Sequence, residues 1–158
     1  MNIMISIKTE KTIKKVQKPW GYELWLEDQE NKDRFAFKKI FIKAPYQSSI
    51  QFHEVKEETI YIASGHGILH YSNDKIDIEK FKLNNYSKKE IDNIVNTLHK
   101  KELKAGDCIT VKTGYVHSVE ATKDLTIMEA STLELEDVYR LNDKYNRSHG
   151  HVASEHNQ

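Results

Sequence analysis

The sequence predicts an all-β protein whose short antiparallel strands form a barrel or a jelly roll, with one short helical insertion. The first observation is a series of segments rich in β-branched and aromatic residues, of which Thr59–Ala63 is typical. The second is the glycines between such segments, for example Gly106 and Gly114, because glycine permits the tight turns of an antiparallel sheet. The third is a helix-capping signal at Ser87–Glu90.

Length and charge narrow the range of functions. The chain has 158 residues, which predicts a single domain, assigned to residues 1–147, followed by a flexible tail at 148–158. Lys+Arg and Asp+Glu both number 24, so the charge gives no reason to expect nucleic acid or an anionic membrane as a partner. No apolar run approaches the length that spans a membrane.

The single cysteine and the first residues indicate the compartment. Cys108 has no second cysteine to pair with, which fits a reducing environment. The N-terminal residues lack the basic segment and cleavage site of a secretory signal. We therefore expect a cytoplasmic protein, and we interpret Cys108 as a buried thiol within a strand.

The N-terminal quarter reads as an arm followed by a strand. Residues 1–15 are interpreted as a loose arm or an edge strand. In one alternative, the two subunits of a homodimer exchange this strand. Lys18–Gly21 reads Lys-Pro-Trp-Gly and predicts a turn. Tyr22–Glu27 is then a strand, and Asp28–Asp33 is a polar turn.

The segment Arg34–Lys43 alternates with the period of a strand. One of its faces carries three phenylalanines and Lys39, and the other carries Ala36, two isoleucines and Lys38. Since both faces hold a lysine, the pattern does not say which face is inside. Lys39 is a candidate to contact the phosphate of a substrate, and the alternative is a surface lysine whose stem covers apolar groups.

The stretch 51–67 contains three side chains able to bind a metal. Gln51 and His53 are two residues apart and share one face of a strand. Glu58 opens the next strand, which runs to a turn at Gly65–Gly67. We predict a hairpin-like pair on which Gln51, His53 and Glu58 converge as a mixed nitrogen and oxygen ligand set.

The segment between 68 and 103 is predicted to be peripheral. It contains a short strand at Ile76–Ile78, a helix near 88–96 outside the barrel, and a strand at His99–Leu103. His66 and His70 are interpreted as ordinary strand or turn residues.

Three further strands are predicted at Cys108–Val111, Val116–Ala121 and Leu125–Ser131. His117 follows the second glycine turn of this region and is the candidate fourth ligand.

These stretches resemble the two motifs of the cupin superfamily. The first motif is Gly, five residues, His-x-His, three or four residues, Glu, six residues, Gly, with Gln for the first His in the phosphomannose-isomerase-like branch. Gln51, His53, Glu58 and Gly65 match that branch. The second motif is Gly, five residues, Pro-x-Gly, two residues, His, and its spacing is kept by Gly106, Gly114 and His117. The departures from the family pattern lie outside the ligand positions, at Pro45, Lys112 and Ala121.

Both ends of the domain also resemble this branch. The Lys-Pro-Trp-Gly turn at Lys18–Gly21 is similar to its opening, and residues 129–147 are similar to its ending. In the ending, Asn146 replaces the usual glycine, and the positions that match are Asp137, Arg140, Asp143, Tyr145 and Arg147. Arg140 is thereby a candidate sugar or phosphate contact, the alternative being a segment clamped by Asp–Arg pairs.

The resemblance implies a cupin-type jelly-roll barrel (a double-stranded β-helix) and a divalent metal cofactor, Zn, Mn, Fe, Co or Ni, held by Gln51, His53, Glu58 and His117. The metal would polarise a sugar carbonyl and its neighbouring hydroxyl, so that proton removal gives a cis-enediol and aldose–ketose isomerisation. The implied function is a mannose-6-phosphate-type isomerase acting on a small sugar phosphate. Two alternatives stay open: a small-molecule-binding or iron-dependent oxygenase cupin, and a non-catalytic sugar-binding module. Candidates for the acid/base are Glu120, Glu129 and Lys39. The histidines after residue 148 are interpreted as part of the tail rather than as ligands.

Overall fold

A computed structural model describes residues 5–27 and 35–156. The strands within these residues are β1 (Lys14–Lys18), β2 (Gly21–Glu27), β3 (Ala36–Ile42), β4 (Ile50–Phe52), β5 (Glu58–Lys75), β6 (His99–Lys104), β7 (Cys108–Val111), β8 (Tyr115–Ser131) and β9 (Tyr139–Asn142). The helices are α1 (Ile78–Lys82), α2 (Lys88–Asn96) and α3 (Ala153–His156). The polar turn predicted at 28–33 lies outside the described residues.

The described strands form one curled antiparallel sheet, in agreement with the predicted all-β class. Its order is β1-β2-β3-β8-β4-β9, and β5 pairs with β6, β7 and β8. The first strand, β1, pairs with β2 of the same chain from Lys14 onward. Because β5 and β8 take part in most of the pairings, these two strands organise the fold.

One predicted turn and one predicted break between strands are bends within long strands. Val116–Ala121 and Leu125–Ser131 are parts of the single strand β8, and β5 runs on through Gly65–Gly67. Irregular pairing between β5 and β8 around these positions curves both strands without ending them. Gly65 has φ +91°, and a Cβ there would lie 2.0 Å from the carbonyl oxygen of Asp124. A glycine at this position therefore serves the close approach of two strands rather than a reverse turn.

Burial settles which face of β3 is inside. Ala36, Lys38, Ile40 and Ile42 are buried, whereas Lys39 is partly exposed. The two isoleucines join the main core, in which Ile62, Leu125 and Ile127 of β5 and β8 are almost fully buried. The lysine on the inner face is thus Lys38 and not Lys39.

The helical region differs in part from the prediction. Helix α2 begins and ends close to the predicted bounds, and Ser87 and Glu90 form the capping box. The short strand predicted at Ile76–Ile78 is wrong, because Asp77 caps the backbone N–H of Lys80 and starts α1. The apolar residues of both helices pack on a smaller second cluster around Phe52 and Val116.

Two further predictions need correction. Cys108 is exposed, because β7 pairs only with β5 and the alternation of the strand turns Cys108 outward. The described part of the tail, residues 148–156, packs against the domain instead of extending from it. Its helix α3 carries Glu155, whose buried carboxylate forms ion pairs with Lys18 at 2.7 Å and Arg147 at 3.1 Å.

The helices in the described part of the chain are short, and none has the length and apolar character needed to cross a membrane.

Candidate metal centre

Three of the four predicted ligands come together inside the sheet. His53 follows β4, Glu58 is the first residue of β5, and His117 lies near the start of β8. All three side chains are buried, and their ligand atoms lie within 4.8 Å of one another. The predicted hairpin is not what joins them, because β4 and β5 each pair with β8 rather than with each other.

Backbone carbonyls orient both imidazoles. His53 Nδ1 lies 2.5 Å from the carbonyl oxygen of Asp137, and His117 Nδ1 lies 3.0 Å from that of Tyr115. A carbonyl oxygen only accepts, so each Nδ1 is placed to donate, and in neutral His53 the lone pair of Nε2 is then free for a ligand. Burial lowers the pKa of His53, against the opposing influence of Glu58, which favours this neutral form. Nδ1–H bonding to a carbonyl is the usual arrangement behind a metal-ligating Nε2.

The donor atoms of the cluster fit a bound cation. His53 Nε2 is buried and makes no hydrogen bond with the described residues, and it lies 3.7 Å from Glu58 Oε2, whose contact is the ammonium of Lys56 at 2.8 Å. His117 Nε2 lies 3.1 Å from Glu58 Oε1. Two neutral nitrogens and one carboxylate suit Zn, Mn, Fe, Co or Ni, and ligand type alone does not choose among these metals.

Gln51, the fourth predicted ligand, lies next to the cluster and makes a hydrogen bond of its own. It pairs with His117 across β4 and β8, and its side chain lines the same cavity. Its Oε1 accepts a hydrogen bond from Ser49 Oγ at 2.5 Å. Because an amide oxygen has a second lone pair, this bond leaves Gln51 able to act as the fourth ligand.

Sequence reasoning missed Lys56. Its ammonium is buried, 2.8 Å from Glu58 Oε2 and 3.4 Å from Glu129 Oε2. Burial alone would lower the pKa of Lys56, but Glu129 and Glu58 raise it well above its usual value, so the lysine is charged. The available signal was its spacing, since Lys56 precedes Glu58 by two residues and an extended chain points both to one side.

The carboxyls near Lys56 have shifted pKa values. Burial raises the pKa of Glu58, but Lys56 and the two histidines outweigh this effect and hold it well below the usual range. Burial and the negative charge of Glu58 raise the pKa of Glu129 to about 7, against the lowering influence of Lys56 and Lys38. Of the three acid/base candidates, Glu129 lines the cavity, whereas Glu120 does not and pairs with His70 at 2.7 Å.

Asp137 holds the loop between His53 and Glu58. Its carboxylate accepts the backbone N–H groups of Glu54, Val55 and Lys56 at 3.0, 2.6 and 2.8 Å. Burial opposes ionisation, but these hydrogen bonds lower the pKa of Asp137. The residue therefore fixes the loop with its side chain and His53 with its backbone.

Replacing Asp137 with alanine is expected to loosen this loop, because three backbone donors lose a charged acceptor. We expect a roughly 10- to 100-fold loss of metal affinity, the range that follows loss of groups behind metal ligands. Thermal unfolding and metal titration check this, with exposed Glu136→Ala as the control. An unchanged metal affinity would show that the loop does not need the Asp137 carboxylate.

Glu58 and His117 of the cluster line a cavity of about 110 Å³, whereas His53 is not part of its wall. Its wall includes the buried pair Lys38 and Glu23, 3.2 Å apart, and part of the C-terminal segment, including Gly150 and Glu155. Lys39, a predicted substrate contact, lies outside this wall, with its ammonium 3.3 Å from Glu10. The alternation of β3 turns Lys39 away from the cavity that Lys38 faces.

Arg140, the other residue predicted to contact substrate, lines the cavity. Its guanidinium donates to the carbonyl oxygens of Ser148 and Gly150. Within the described chain it forms no ion pair with a carboxylate, unlike the other lysine and arginine side chains of the wall, which are Lys18, Lys38, Lys56 and Arg147. Two N–H donors of the wall, Arg140 Nε and Trp20 Nε1, are buried without a hydrogen-bond partner among the described residues.

The predicted Asp–Arg clamp is present next to Arg140. Arg147 donates to both carboxylate oxygens of Asp143, at 2.8 and 2.9 Å. The tail histidines that the structure describes, His149 and His151, are not part of the ligand cluster. His149 Nδ1 accepts the backbone N–H of Arg140, and His151 lies 3.0 Å from Glu136.

Comparisons with known proteins identify the fold. No protein-family model matches the chain, and no curated protein matches its sequence significantly. CapF of Staphylococcus aureus, a capsular polysaccharide assembling protein, superposes with a TM-score of 0.60 at 13% identity, over 83% of this chain and 34% of CapF. Oxalate decarboxylase of Bacillus subtilis gives a TM-score of 0.62 at 11% identity, over 85% of this chain and 31% of the enzyme.

L-ribose isomerase of Cellulomonas parahominis, solved with L-psicose, gives a TM-score of 0.63 at 13% identity, over 80% of this chain and 71% of the isomerase. These structural neighbours are cupin-fold proteins, and the predicted cupin-type jelly roll is confirmed. The chain spans about a third of the length of CapF and of oxalate decarboxylase. Identities this low establish the fold and leave the activity to the chemistry of the site.

Proposed function

We propose that the protein is a metal-dependent aldose–ketose isomerase acting on a sugar phosphate of the mannose-6-phosphate type. One observation carries the proposal: two members of the ligand cluster, Glu58 and His117, line one cavity together with a buried carboxyl group and an arginine without a carboxylate partner. A sugar isomerase among the solved structures of similar fold supports it.

The metal would be held by Nε2 of His53 and His117, by the carboxylate of Glu58 and by the amide oxygen of Gln51. When bound, a divalent ion supplies Lewis-acid polarisation of a carbonyl and its neighbouring hydroxyl. Glu58 is the sole anion in this ligand set, so the site keeps a net positive charge toward substrate oxygens.

Glu129 is the group we assign to proton transfer. Its carboxyl is buried in the cavity wall, and its pKa of about 7 lets it take up and release a proton near neutral pH. In the proposed reaction Glu129 removes the proton from the carbon next to the carbonyl and returns it to the former carbonyl carbon, while the hydroxyl proton passes from the neighbouring oxygen to the former carbonyl oxygen.

Arg140 and Trp20 are assigned to substrate binding. Arg140 Nε and Trp20 Nε1 are donors without partners, so a ligand rich in acceptor oxygens satisfies both. The phosphate is assigned to Arg140, because guanidinium binds phosphate with paired hydrogen bonds.

The size of the cavity favours a second candidate. About 110 Å³ is below the roughly 300 Å³ at which ligand pockets usually begin. A hexose phosphate would enter only if the C-terminal segment around Gly150 and Glu155 moved aside. A cupin that binds or oxidises a smaller molecule at the same ligands fits the cavity without such movement.

Isomerisation assays on metal-loaded protein separate these candidates. We expect conversion of mannose 6-phosphate to the ketose phosphate, and weaker conversion of unphosphorylated mannose. Arg140→Gln is expected to raise KM for the phosphorylated sugar by about 10- to 100-fold, the loss of a charge-assisted hydrogen bond. It should leave KM for the free sugar nearly unchanged.

Lys39→Gln is the matched control, since Lys39 lies outside the cavity, and it should leave both KM values unchanged. A metal-loaded protein that converts no aldose phosphate would refute the isomerase proposal and leave the second candidate. The homodimer and the cytoplasmic location stay predictions, and the molecular mass in solution checks the first.

A further inference from the structure

Lys56 brings a permanent cation to the carboxylate that the metal needs. Its ammonium lies 2.8 Å from Glu58 Oε2, and only about 4% of the residue is exposed. His53 Nε2 lies 3.7 Å from the same oxygen. A metal bound to His53 and Glu58 would therefore lie within a few ångströms of a positive charge in a poorly screened interior.

Lys56 contacts two buried carboxylates. Its ammonium lies 2.8 Å from Glu58 Oε2 and donates a hydrogen bond to Glu129 Oε2 at 3.4 Å. Glu129 is thus the second partner of the lysine, and Glu58 is shared between the lysine and the two histidines.

We propose that Lys56 is a built-in competitor of the metal ion, which lowers the affinity of the site, and that Glu129 is the counter-charge that limits this competition. Lys56 lies on the Oε2 side of Glu58, which His53 Nε2 also faces, so its ammonium and a bound ion would compete for the same carboxylate. The metal is consequently exchangeable rather than structural.

The inference rests on the metal site of the proposed function but not on the isomerase reaction. If Lys56 and Glu129 only maintained the shape of the site, removal of either would disturb the ligands and weaken metal binding. Competition predicts opposite signs. Removal of the lysine strengthens metal binding, and removal of its counter-charge weakens it.

A zinc competition titration against a chromophoric chelator, in neutral to mildly alkaline buffer, measures these signs on the full chain. We expect Lys56→Met to bind zinc at least about 10-fold more tightly than the unmodified protein, and Glu129→Gln at least about 10-fold more weakly. The double variant removes both charges and should return to within a few-fold of the starting affinity. The control variants Lys112→Met and Glu57→Gln break an exposed pair and should leave zinc affinity unchanged.

The zinc affinities of the variants decide whether Lys56 competes with the metal. Weaker zinc binding in both single variants, or unchanged binding in Lys56→Met, would overturn the competitor role and leave the metal site intact. If Lys56→Met fails to fold, Lys56→Gln and the Glu129→Gln arm carry the test, and stronger binding in Glu129→Gln overturns the proposal. Absence of zinc binding in the unmodified protein would reject the metal site itself, whatever the variants do.

Discussion

His117→Ala is expected to lower affinity for a divalent metal by more than about 100-fold while the fold persists. His117 is the ligand that β8 brings to the site, opposite His53, with the two ring centroids 5.1 Å apart. Loss of groups merely behind metal ligands already weakens affinity by about 10- to 100-fold, and loss of a ligand should exceed that. The core does not depend on this ring, because Leu125 and Ile127 of the same strand are buried elsewhere.

Glu58→Gln tests the charge of the same site. The amide keeps the shape of the side chain but removes the anion of the ligand set, so metal affinity should again fall strongly. The adjacent Glu57→Gln is a matched control, because Glu57 is exposed and pairs with exposed Lys112.

Metal analysis and circular dichroism measure both variants. We expect them to be metal-poor, to keep the spectrum of the unmodified protein and to be inactive on sugar phosphates. Full metal occupancy in either variant would remove that residue from the ligand set. Isomerase activity in metal-free protein would refute the Lewis-acid mechanism.

The ligand cluster was predictable because residue type and spacing encode it locally. A histidine two residues beyond Gln51, a glutamate five residues later, and a histidine after a glycine turn indicate metal chemistry before any fold is known. The strand pairing that joins these residues was not predictable from the same signals. The bends in β5 and β8 depend on contacts between two distant strands, as at Gly65 and Asp124.

The sequence alone could not predict which lysine of β3 faces the cavity, because tertiary structure decides it. Strand β3 alternates evenly, so its sequence presents Lys38 and Lys39 as equivalent, and only the pairing of β3 with β2 and β8 chooses between them. Lys56 was overlooked for a related reason. A lysine in a polar segment is usually solvated, and here two buried carboxylates stabilise it inside the protein.

The packing of the tail could not be predicted from the sequence either. Residues 148–156 have the polar composition of a mobile end, and their order comes from long-range ion pairs. Glu155 reaches Lys18, 137 residues away in sequence. Composition reports local preference and cannot report such partners.

Glu23→Gln is expected to destabilise the protein by about 3 kcal/mol at neutral pH. The carboxylate of Glu23 is buried, lies 3.2 Å from Lys38 and accepts a hydrogen bond from Trp25 Nε1 at 2.7 Å. Burial alone would raise the pKa of Glu23, but Lys38, Lys18 and Trp25 lower it from 4.5 to about 2. That difference between the folded and unfolded pKa corresponds to about 3 kcal/mol, and an unpaired buried Lys38 would add to the loss.

The dependence on pH distinguishes this ion pair from simple packing. Because the folded pKa of Glu23 lies below the unfolded value, its stabilisation is fully present above pH 4.5 and is lost as pH falls toward 2. The difference in unfolding free energy between the unmodified protein and Glu23→Gln should therefore be constant near neutral pH and shrink across this acid range. Denaturant unfolding at several pH values measures it, with Glu57→Gln as an exposed control worth less than about 1 kcal/mol. A difference independent of pH would contradict the ionised Glu23–Lys38 pair as the source of the stabilisation.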